Sequence, residues 1–219
     1  MLAIARAVSD ILLNIEAVHI NLEKPFVFTS GMLSPVYVDC RKVISFINER
    51  RTIIELACSI VKNDIGLYNI DLIAGGETAG IPFAAWLSDL LNLPMIYVRK
   101  KPKDFGRHEQ IEGDINPGKR VLLVEDLVFD AGSKLNFHSV ITKSGAIMEH
   151  ILVIFDYGNK KARQNLKEHG IELHAMTNWN TLLQLAQEKN CITQREYEAI
   201  QEFLEDPERW GKQRTSSYL

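Results

Sequence analysis

Short apolar runs and longer stretches with helical spacing alternate along the chain from residue 70 onwards. The runs predict strands at Ile70–Ala74, Met95–Val98, Val121–Val124, Met148–Phe155 and Ile171–Ala175. The stretches between them predict helices over 79–92, 133–143 and 160–168. Strands without a polar alternate face are buried on both sides, and strands that alternate with helices pair in parallel. The pattern therefore predicts an open, mostly parallel α/β sheet with helices on both faces.

The two ends of the chain carry other patterns. Before residue 70 we predict a helix over 3–20, short strands at Phe26–Thr29 and Val36–Asp39, and a helix over 48–62 capped by Asn48. After the last strand we predict two amphipathic helices over 178–190 and 193–206, with Pro207 ending the second. Trp179 and Trp210 are predicted to anchor these helices in the core. The carboxy-terminal helices then form an appendage on the sheet and not a separate domain.

Composition and charge narrow the class of protein. A length of 219 residues with 46 % apolar residues suits a globular chain of one large domain or two small ones. The net charge of −3 argues against a protein that binds nucleic acid through a cationic surface. No apolar run approaches the roughly 20 residues that span a bilayer. Arg6, Asp10 and Glu16 do not fit the apolar region of a secretory signal, so we expect a cytoplasmic protein.

Cysteine and histidine residues show no metal-binding spacing in the sequence. The three cysteines are far apart, which predicts buried thiols and neither a disulfide framework nor a zinc site: Cys40, Cys58 and Cys191. Surface or packing roles are expected for most of the histidines, namely His19, His138, His150, His169 and His174.

The most informative segment runs from Val121 to Lys134 and reads VLLVEDLVFDAGSK. Glu125 and Asp126 follow a buried strand, and a run of small residues then turns the chain into a helix. Ligands of open α/β sheets bind at the carboxyl ends of strands, and free N–H groups at a helix start bind phosphate. The segment predicts a pocket for a phosphorylated ribose, in which the two acids accept hydrogen bonds from the sugar hydroxyls. The alternative is an ordinary strand, turn and helix with solvated acids.

Residues 121–134 resemble the phosphoribosyl pyrophosphate (PRPP) signature of the type I phosphoribosyltransferases. Three further stretches resemble one branch, the orotate phosphoribosyltransferases. Its amino-terminal substrate segment is similar to FVFTSGMLSPVYVDCRK (Phe26–Lys42), its pyrophosphate loop to IAGGETAGIPFAAW (Ile73–Trp86), and its basic mobile lid to YVRKKPKDFGRHEQIEG (Tyr97–Gly113). The resemblance holds in order and spacing from residue 26 to about residue 157. It implies the type I fold in one domain over 1–219, with a small amino-terminal hood (1–45), an α/β core (46–175) and a helical extension (176–219).

The resemblance also implies the site residues. Lys103, Glu125 and Asp126 are the expected catalytic residues. The PRPP site would comprise Arg99, Lys100, Lys103 and the segment Glu125, Asp126, Leu127, Val128, Phe129, Asp130, Ala131, Gly132 and Ser133. The pyrophosphate loop would comprise Gly76, Glu77, Thr78, Ala79 and Gly80, and the orotate site Ser30, Gly31, Tyr37, Phe129 and Tyr157. Mg²⁺ is implied, held mainly by PRPP oxygens with Asp126 as a candidate ligand. A homodimer is implied as well, because the family's lid reaches into the neighbouring subunit's site.

Several residues depart from the family pattern. Phe129, Asp130, Ala131 and Gly132 replace two threonines and two glycines after the acids, and Asp130 would repel a phosphate unless it points away or caps the helix. Asp156-Tyr157 stands where an Asp-Arg pair contacts orotate. Phe105 replaces a lid histidine, and Thr78-Ala79 stands where many members carry a lysine. These departures affect recognition of the base more than that of the sugar phosphate.

The resemblance predicts Mg²⁺-dependent transfer of phosphoribose from PRPP to orotate, giving orotidine 5′-phosphate and pyrophosphate for pyrimidine (UMP) synthesis. One alternative is a phosphoribosyltransferase for another base, against which the Phe26–Lys42 segment argues. A second is a PRPP-binding regulator that binds nucleic acid. Neither the net charge nor the amino-terminal helix supports the regulator. The expected partners are therefore small molecules and a second copy of the chain, without nucleic acid or membrane.

Overall fold

The computed structural model describes residues 1–28, 31–102 and 110–215. In chain order its strands are β1 (Val18–Ile20), β2 (Phe26–Val27), β3 (Leu33–Ser34), β4 (Val36–Val38), β5 (Leu72–Gly76), β6 (Met95–Val98), β7 (Ile111–Glu112), β8 (Arg120–Val128), β9 (Ile147–Asp156) and β10 (Glu172–Asn178). Its helices are α1 (Leu2–Asn14), α2 (Ile47–Ile60), α3 (Gly80–Leu91), α4 (Gly132–Lys143), α5 (Lys160–Glu168), α6 (Trp179–Glu188), α7 (Gln194–Glu205) and α8 (Pro207–Thr215).

Six strands form one sheet in the order β10-β9-β8-β5-β6-β7. All neighbours pair in parallel except β7, which runs antiparallel to β6. The carboxyl ends of β5, β6, β8 and β9 therefore meet at one edge of the sheet, where ligands of this architecture bind. Two antiparallel pairs, β1 with β4 and β2 with β3, are formed by the amino-terminal residues.

The sheet is covered on both faces, as its apolar strands predict. Along β8, Leu122 and Val124 belong to a buried cluster that includes residues of α1, α2, α3 and α6. Val121 and Leu123 point to the other face and join a second cluster that includes residues of α4 and α5. This alternation confirms the predicted α/β fold class, since successive side chains of a strand point to opposite faces of the sheet.

The structure corrects the sequence analysis near the chain ends. The first helix ends at Asn14, because Glu16 takes a left-handed conformation (φ 54°) and residues 18–20 form β1 against β4. Helix α2 begins at Ile47, so Asn48 is not its cap. Pro207 does follow α7, but it also begins α8, since proline suits the first turn of a helix and the Asp206 carboxylate caps that turn by accepting from Arg209 N–H at 3.0 Å. The prediction of a buried Cys191 is wrong, because this residue is exposed.

Buried side chains tie the carboxy-terminal helices to the rest of the fold. Trp179 and Trp210 are buried in the cluster that also contains residues of α1 and α2, as predicted for these residues. A hydrogen bond of 2.6 Å joins the buried hydroxyls of Ser9 on α1 and Thr177 on β10. Among the residues described, no helix is long and apolar enough to cross a bilayer.

Candidate active site

A cavity of about 570 Å³ opens at the carboxyl ends of β5 and β8. The predicted site residues that line it are Tyr37, Glu77, Thr78, Ala79, Lys100, Glu125, Asp126, Leu127, Phe129, Asp130, Ser133 and Tyr157. They come from the amino-terminal strands, the β5–α3 loop, the residues after β6, the end of β8, and the β8–α4 and β9–α5 connections. Strand β8 continues to Val128, so Glu125 and Asp126 lie within it and do not follow it as predicted. The fold thus brings together residues that are up to 120 positions apart in the sequence, Tyr37 and Tyr157 among them.

Glu125 lies at the buried end of this cavity and pairs with Lys134 of helix α4. Glu125 Oε2 and Lys134 Nζ are 2.9 Å apart, and each side chain is 7 % exposed. Glu125 Oε1 is buried and accepts no hydrogen bond from any residue that the structure describes. Burial raises the pKa of the Glu125 carboxyl, although the Lys134 charge acts in the opposite direction. A bound ligand can therefore provide the interaction that this buried carboxylate oxygen lacks.

Asp126 presents a second carboxyl group next to the first. Its Oδ1 accepts a hydrogen bond from Leu127 N–H at 2.8 Å. Burial raises the pKa of this carboxyl, while the charges of Lys134 and Arg41 and the bond from Leu127 N–H lower it. The cavity therefore holds two adjacent acids in a poorly solvated place, where their charges act more strongly on a bound ligand than they would in water.

Two glycines of the predicted pyrophosphate loop allow the backbone to approach Glu125. A Cβ atom on Gly76 would lie 2.3 Å from Glu125 Oε1, and one on Gly80 would lie 2.3 Å from Val124 O. Both glycines therefore pack beneath the cavity, while Glu77, Thr78 and Ala79 line it. The peptide bond between Glu77 and Thr78 is cis.

Gly80→Ala is expected to lower the free energy of unfolding by about 1–3 kcal/mol, the usual cost of forcing an extra carbon into a packed site. Urea unfolding measures this change. Gly211→Ala is the matched control in another helix, because a Cβ there would meet its nearest atoms at 3.9 Å. Equal unfolding midpoints for the two variants would show that the contact between Gly80 and Val124 is not tight.

The predicted phosphate loop connects β8 to α4. Asp130 Oδ1 accepts a hydrogen bond from Gly132 N–H, the first of the helix, at 2.9 Å, although Ala131 and not Asp130 is the N-cap residue of α4. Phe129, Asp130 and Ser133 line the cavity, whereas Val128 and Ala131 are buried and Gly132 does not line it. At the start of α4, therefore, Ser133 faces the same cavity as the acids, while the Gly132 N–H is bonded to Asp130.

The residues after β6 form one wall of the site. Lys100 lines the cavity, and its N–H donates to Glu77 Oε2 at 2.8 Å. Arg99 does not line the cavity, and its Nη1 lies 3.9 Å from Glu112 Oε1 on β7. Gly31 lines a neighbouring cavity on the other side of Phe129 and Tyr157. Ser30 and Lys103, and also Phe105, lie outside the described residues.

Aromatic rings form the opposite wall. Phe28 and Phe129 have ring centroids 4.8 Å apart, and Phe129 and Tyr157 have theirs 5.2 Å apart. The Tyr157 hydroxyl oxygen accepts from Val38 N–H at 2.9 Å. Burial strongly raises the pKa of this phenol, so the ring stays neutral. The rings meet edge to face, at interplanar angles of 71° and 84°, and form an apolar wall against which a heterocyclic base can pack.

Known proteins resemble this chain over nearly its full length. No family model matches the chain. The orotate phosphoribosyltransferase of Dinoroseobacter shibae is 46 % identical over 207 residues, which cover 94 % of this chain and 92 % of the relative. That of Rhizobium rhizogenes is 43 % identical over 208 residues, which cover 94 % and 90 %. This chain belongs to the orotate phosphoribosyltransferase family.

Solved structures support the same family. The orotate phosphoribosyltransferase of Aeropyrum pernix superimposes with a TM-score of 0.70 at 26 % identity, covering 82 % of this chain and 99 % of that one. The UMP synthase of Leishmania donovani gives a TM-score of 0.76 at 26 % identity, covering 91 % of this chain and 42 % of that one. The predicted type I phosphoribosyltransferase fold is confirmed.

Two charged residues that line the orotate phosphoribosyltransferase cavity, Arg41 and Lys134, were not among the predicted site residues. Lys134 directly follows the predicted phosphate loop, and only the fold shows that it pairs with Glu125. Arg41 stands in the resembling segment Phe26–Lys42 and lines the cavity, with Nε donating to Asp39 Oδ1 at 2.6 Å and Nη2 donating to the Tyr37 hydroxyl at 2.7 Å. The one sequence feature that pointed to Arg41 as a site residue was its position in Phe26–Lys42, the stretch that resembles the family's substrate segment.

Proposed function

We propose that the protein is a cytoplasmic, Mg²⁺-dependent orotate phosphoribosyltransferase that forms orotidine 5′-phosphate and pyrophosphate from orotate and PRPP for UMP synthesis. The observation that carries this proposal is the pair of acids, the buried Glu125 and the partly buried Asp126, beside the start of α4 in one cavity. Carboxylates beside a helix start suit a phosphorylated sugar, because free N–H groups at a helix start can bind its phosphate. The family of the relatives indicates that orotate is the base that accepts the phosphoribose.

The chemistry needs charge of both signs. The bond from ribose C1 to the pyrophosphate oxygen breaks, and the pyrophosphate leaves with the bonding electrons. A bond from C1 to a ring nitrogen of orotate forms, and the proton of that nitrogen passes to the pyrophosphate or to water. Positive charge develops on the sugar, and the carboxylates of Glu125 and Asp126 would stabilise it. Lys100 at the cavity wall would stabilise the pyrophosphate. Lys103, which lies outside the described residues, remains a predicted contact of the leaving group.

The donor atoms at this site fit Mg²⁺. Glu125 Oε1 is buried without a hydrogen-bond partner among the described residues, and the Asp126 carboxylate lies next to it. Mg²⁺ prefers oxygen ligands and commonly combines one or two carboxylates with substrate phosphates. Asp126 is the side chain that we propose to hold the ion together with PRPP oxygens. When bound, the ion would supply positive charge that neutralises the pyrophosphate.

Arg41 is the cation that we propose for the orotate carboxylate. Tyr157 stands where the family pattern has arginine, and its neutral phenol carries no charge to offer. Lys134, another cation of the cavity, is buried in its pair with Glu125, whereas Arg41 pairs with Asp39 but keeps a side chain that is 53 % exposed. Arg41 lines the cavity beside Tyr37, next to the aromatic wall, and its guanidinium can form charge-assisted hydrogen bonds to a carboxylate.

Arg41→Met is expected to raise the KM for orotate about 10- to 100-fold, the range that corresponds to a lost hydrogen bond to a charged group. The KM for orotate of Arg41→Lys should lie between those of the wild type and Arg41→Met, since lysine keeps the charge but lacks the paired donors of the guanidinium. The KM for PRPP should change less than the KM for orotate, because the proposed contact is to the base and Arg41 acts on Asp126 only through its charge. Arg6→Met, at an exposed ion pair with Glu188, is the matched control. An unchanged KM for orotate in Arg41→Met would remove Arg41 from the base site.

Offering single bases to the protein tests the proposed substrate against the alternatives. With PRPP and Mg²⁺ present, pyrophosphate release is measured with orotate, uracil, adenine or hypoxanthine. Pyrophosphate release with orotate and with none of the other bases supports the proposal. Release with another base would show that the protein catalyses phosphoribosyl transfer to that base instead. PRPP binding without release for any base would favour the regulator.

We propose a homodimer in which the lid of one subunit serves the other subunit's site. Arg99 supports this arrangement, because it stands at the start of the lid yet does not line its own cavity. A dimer with two shared sites has a measurable consequence. Mixing Lys103→Ala subunits with Asp126→Asn subunits assembles hybrids in which one site contains both defects and the other contains neither.

Equal mixing should recover about one quarter of the wild-type rate, because half of the dimers are hybrids and each has one intact site. Each variant alone should remain nearly inactive. Steady-state rates measured after subunit exchange, with exchange verified by mass spectrometry, test this expectation. Exchange without recovery would contradict the sharing of sites.

A further inference from the structure

A second cluster of chemically active side chains lies at the opposite end of the sheet from the cavity. His150 stands near the start of β9, and Glu172 and His174 stand on β10, the edge strand of the sheet. The parallel register puts Glu172 beside His150, and His174 follows two positions later on the same face. None of these residues contributes to the cavity described above.

Three ligand atoms of this cluster converge. His150 Nδ1 and His174 Nε2 are 3.2 Å apart, and Glu172 Oε2 lies 3.8 Å from the first and 3.9 Å from the second. A point at equal distance from three atoms with these separations lies about 2.1 Å from each, which is the length of a bond from Zn²⁺ to imidazole nitrogen or carboxylate oxygen. The arrangement therefore already has the dimensions of a three-ligand metal site.

The chemistry of the donors selects the class of ion. Two imidazoles and one carboxylate suit Zn²⁺ and its neighbours among the divalent transition metals, whereas Mg²⁺ prefers oxygen ligands alone. Glu172 and His174 line a depression at the surface, so an ion can enter from solvent and keep water as a further ligand. The His174 side chain is 8 % exposed and the Glu172 side chain is 68 % exposed. His174 would therefore hold the ion from the protein interior, and Glu172 would hold it from the side that faces solvent.

We infer that His150, Glu172 and His174 form a binding site for a divalent transition metal, with Zn²⁺ as the best fit. The ion would cross-link the edge strand β10 to β9 and would stabilise the native sheet, since a ligand that binds only the folded state shifts the folding equilibrium towards it. The competing explanation for the 3.2 Å contact is a direct hydrogen bond between the two rings.

Metal titration of the full chain separates these explanations. Protein treated with a chelator and dialysed is titrated with Zn²⁺ in competition with a chromophoric chelator, and Co²⁺ is added separately to record its visible absorption. One equivalent should bind with a Kd at or below about 1 μM, and the Co²⁺ spectrum should show nitrogen and oxygen ligation. With Zn²⁺ at 100 times its Kd, Tm should rise by about 5–10 °C.

The variants decide which residues hold the ion. His174→Gln and Glu172→Gln should each weaken Zn²⁺ binding by at least about 100-fold, more than the loss of an outer-shell partner usually costs. Glu172→Gln changes an exposed side chain, so it tests the site even if the buried His174→Gln variant does not fold. His138→Gln is the matched control, since His138 also lies beside another histidine, His169, with ring centroids 6.1 Å apart. No binding by the wild type, or equal binding by Glu172→Gln and the wild type, would overturn the inference.

Discussion

Asp126→Asn is expected to lower kcat by about 100- to 1,000-fold, the usual effect of removing one group that stabilises charge in a transition state. Asparagine keeps an oxygen that can accept from Leu127 N–H, so the backbone around the site should persist. What is lost is the negative charge next to the sugar and the proposed oxygen ligand of Mg²⁺. Steady-state kinetics with saturating orotate and PRPP measure the change.

The same variant is expected to raise Tm at neutral pH. Burial raises the pKa of the Asp126 carboxyl, so the folded state binds this proton more tightly than the unfolded state does. The stability that the protonated group contributes is complete below its ordinary pKa of 3.8 and is lost as pH rises through the raised value. At pH 7 the partly buried negative charge lowers stability, and the neutral asparagine does not carry this penalty. Each kcal/mol recovered should raise Tm by about 2–4 °C.

The expected rise in Tm is controlled in two ways, by measuring it at several pH values and by comparing it with a variant of a surface acid. The gain in Tm of Asp126→Asn over the wild type should shrink as pH falls towards 4, because the wild-type carboxyl then becomes protonated as well. Asp89→Asn, at an exposed acid of α3, should change neither kcat nor Tm appreciably. An unchanged kcat would show that Asp126 has no catalytic role. A Tm that falls equally at neutral pH and near pH 4 would show that the charge of Asp126 does not lower the stability of the fold.

Lys134→Ala is expected to cause the largest loss of stability, about 3–5 kcal/mol in the free energy of unfolding at pH 7. Lys134 Nζ is the ion-pair partner of Glu125 Oε2, and both side chains are almost fully buried. Removing the lysine leaves a buried carboxylate without its counter-charge. Because burial already raises the pKa of Glu125, protonation at lower pH should relieve part of the loss.

Chemical unfolding at pH 7 and pH 5 measures the loss and its relief. Lys143→Ala, an exposed lysine at the end of the same helix, should change stability by no more than about 0.5 kcal/mol. The double variant Glu125→Gln/Lys134→Met should recover most of the stability but not the activity, because it removes both buried charges while it also removes the acid. Equal stabilities of Lys134→Ala and Lys143→Ala would mean that the pair is not buried in solution.

The sheet could be predicted from the sequence because its strands are apolar on both faces. β8 is the clearest case, since Val121–Val124 can lie only between two layers of helices, and the acids that follow must then lie at the ligand-binding edge. The amino-terminal segment was less predictable. Val18 and Ile20 continue the helical apolar spacing of α1, yet they pair with β4, because strand pairing outweighs local propensity there.

Residues whose roles depend on distant partners could not be predicted. The Glu125–Lys134 ion pair requires the β8–α4 connection to fold back, and the approach of Arg41 to the cavity requires the amino-terminal strands to pack over the sheet. His150 and His174 have no metal-like spacing in the sequence, and they meet only because β9 and β10 pair in parallel with a fixed register. Spacing along the chain carries no information about such contacts until the strand order is known.

The most direct test of the proposed activity is the rate of orotate consumption by absorbance, with PRPP present and with or without Mg²⁺. We expect Mg²⁺-dependent loss of orotate, with one pyrophosphate released for each orotate consumed, which would also show that a site with Phe129 and Tyr157 holds this base. Folded protein that binds PRPP but consumes no orotate in the presence of Mg²⁺ would contradict the account.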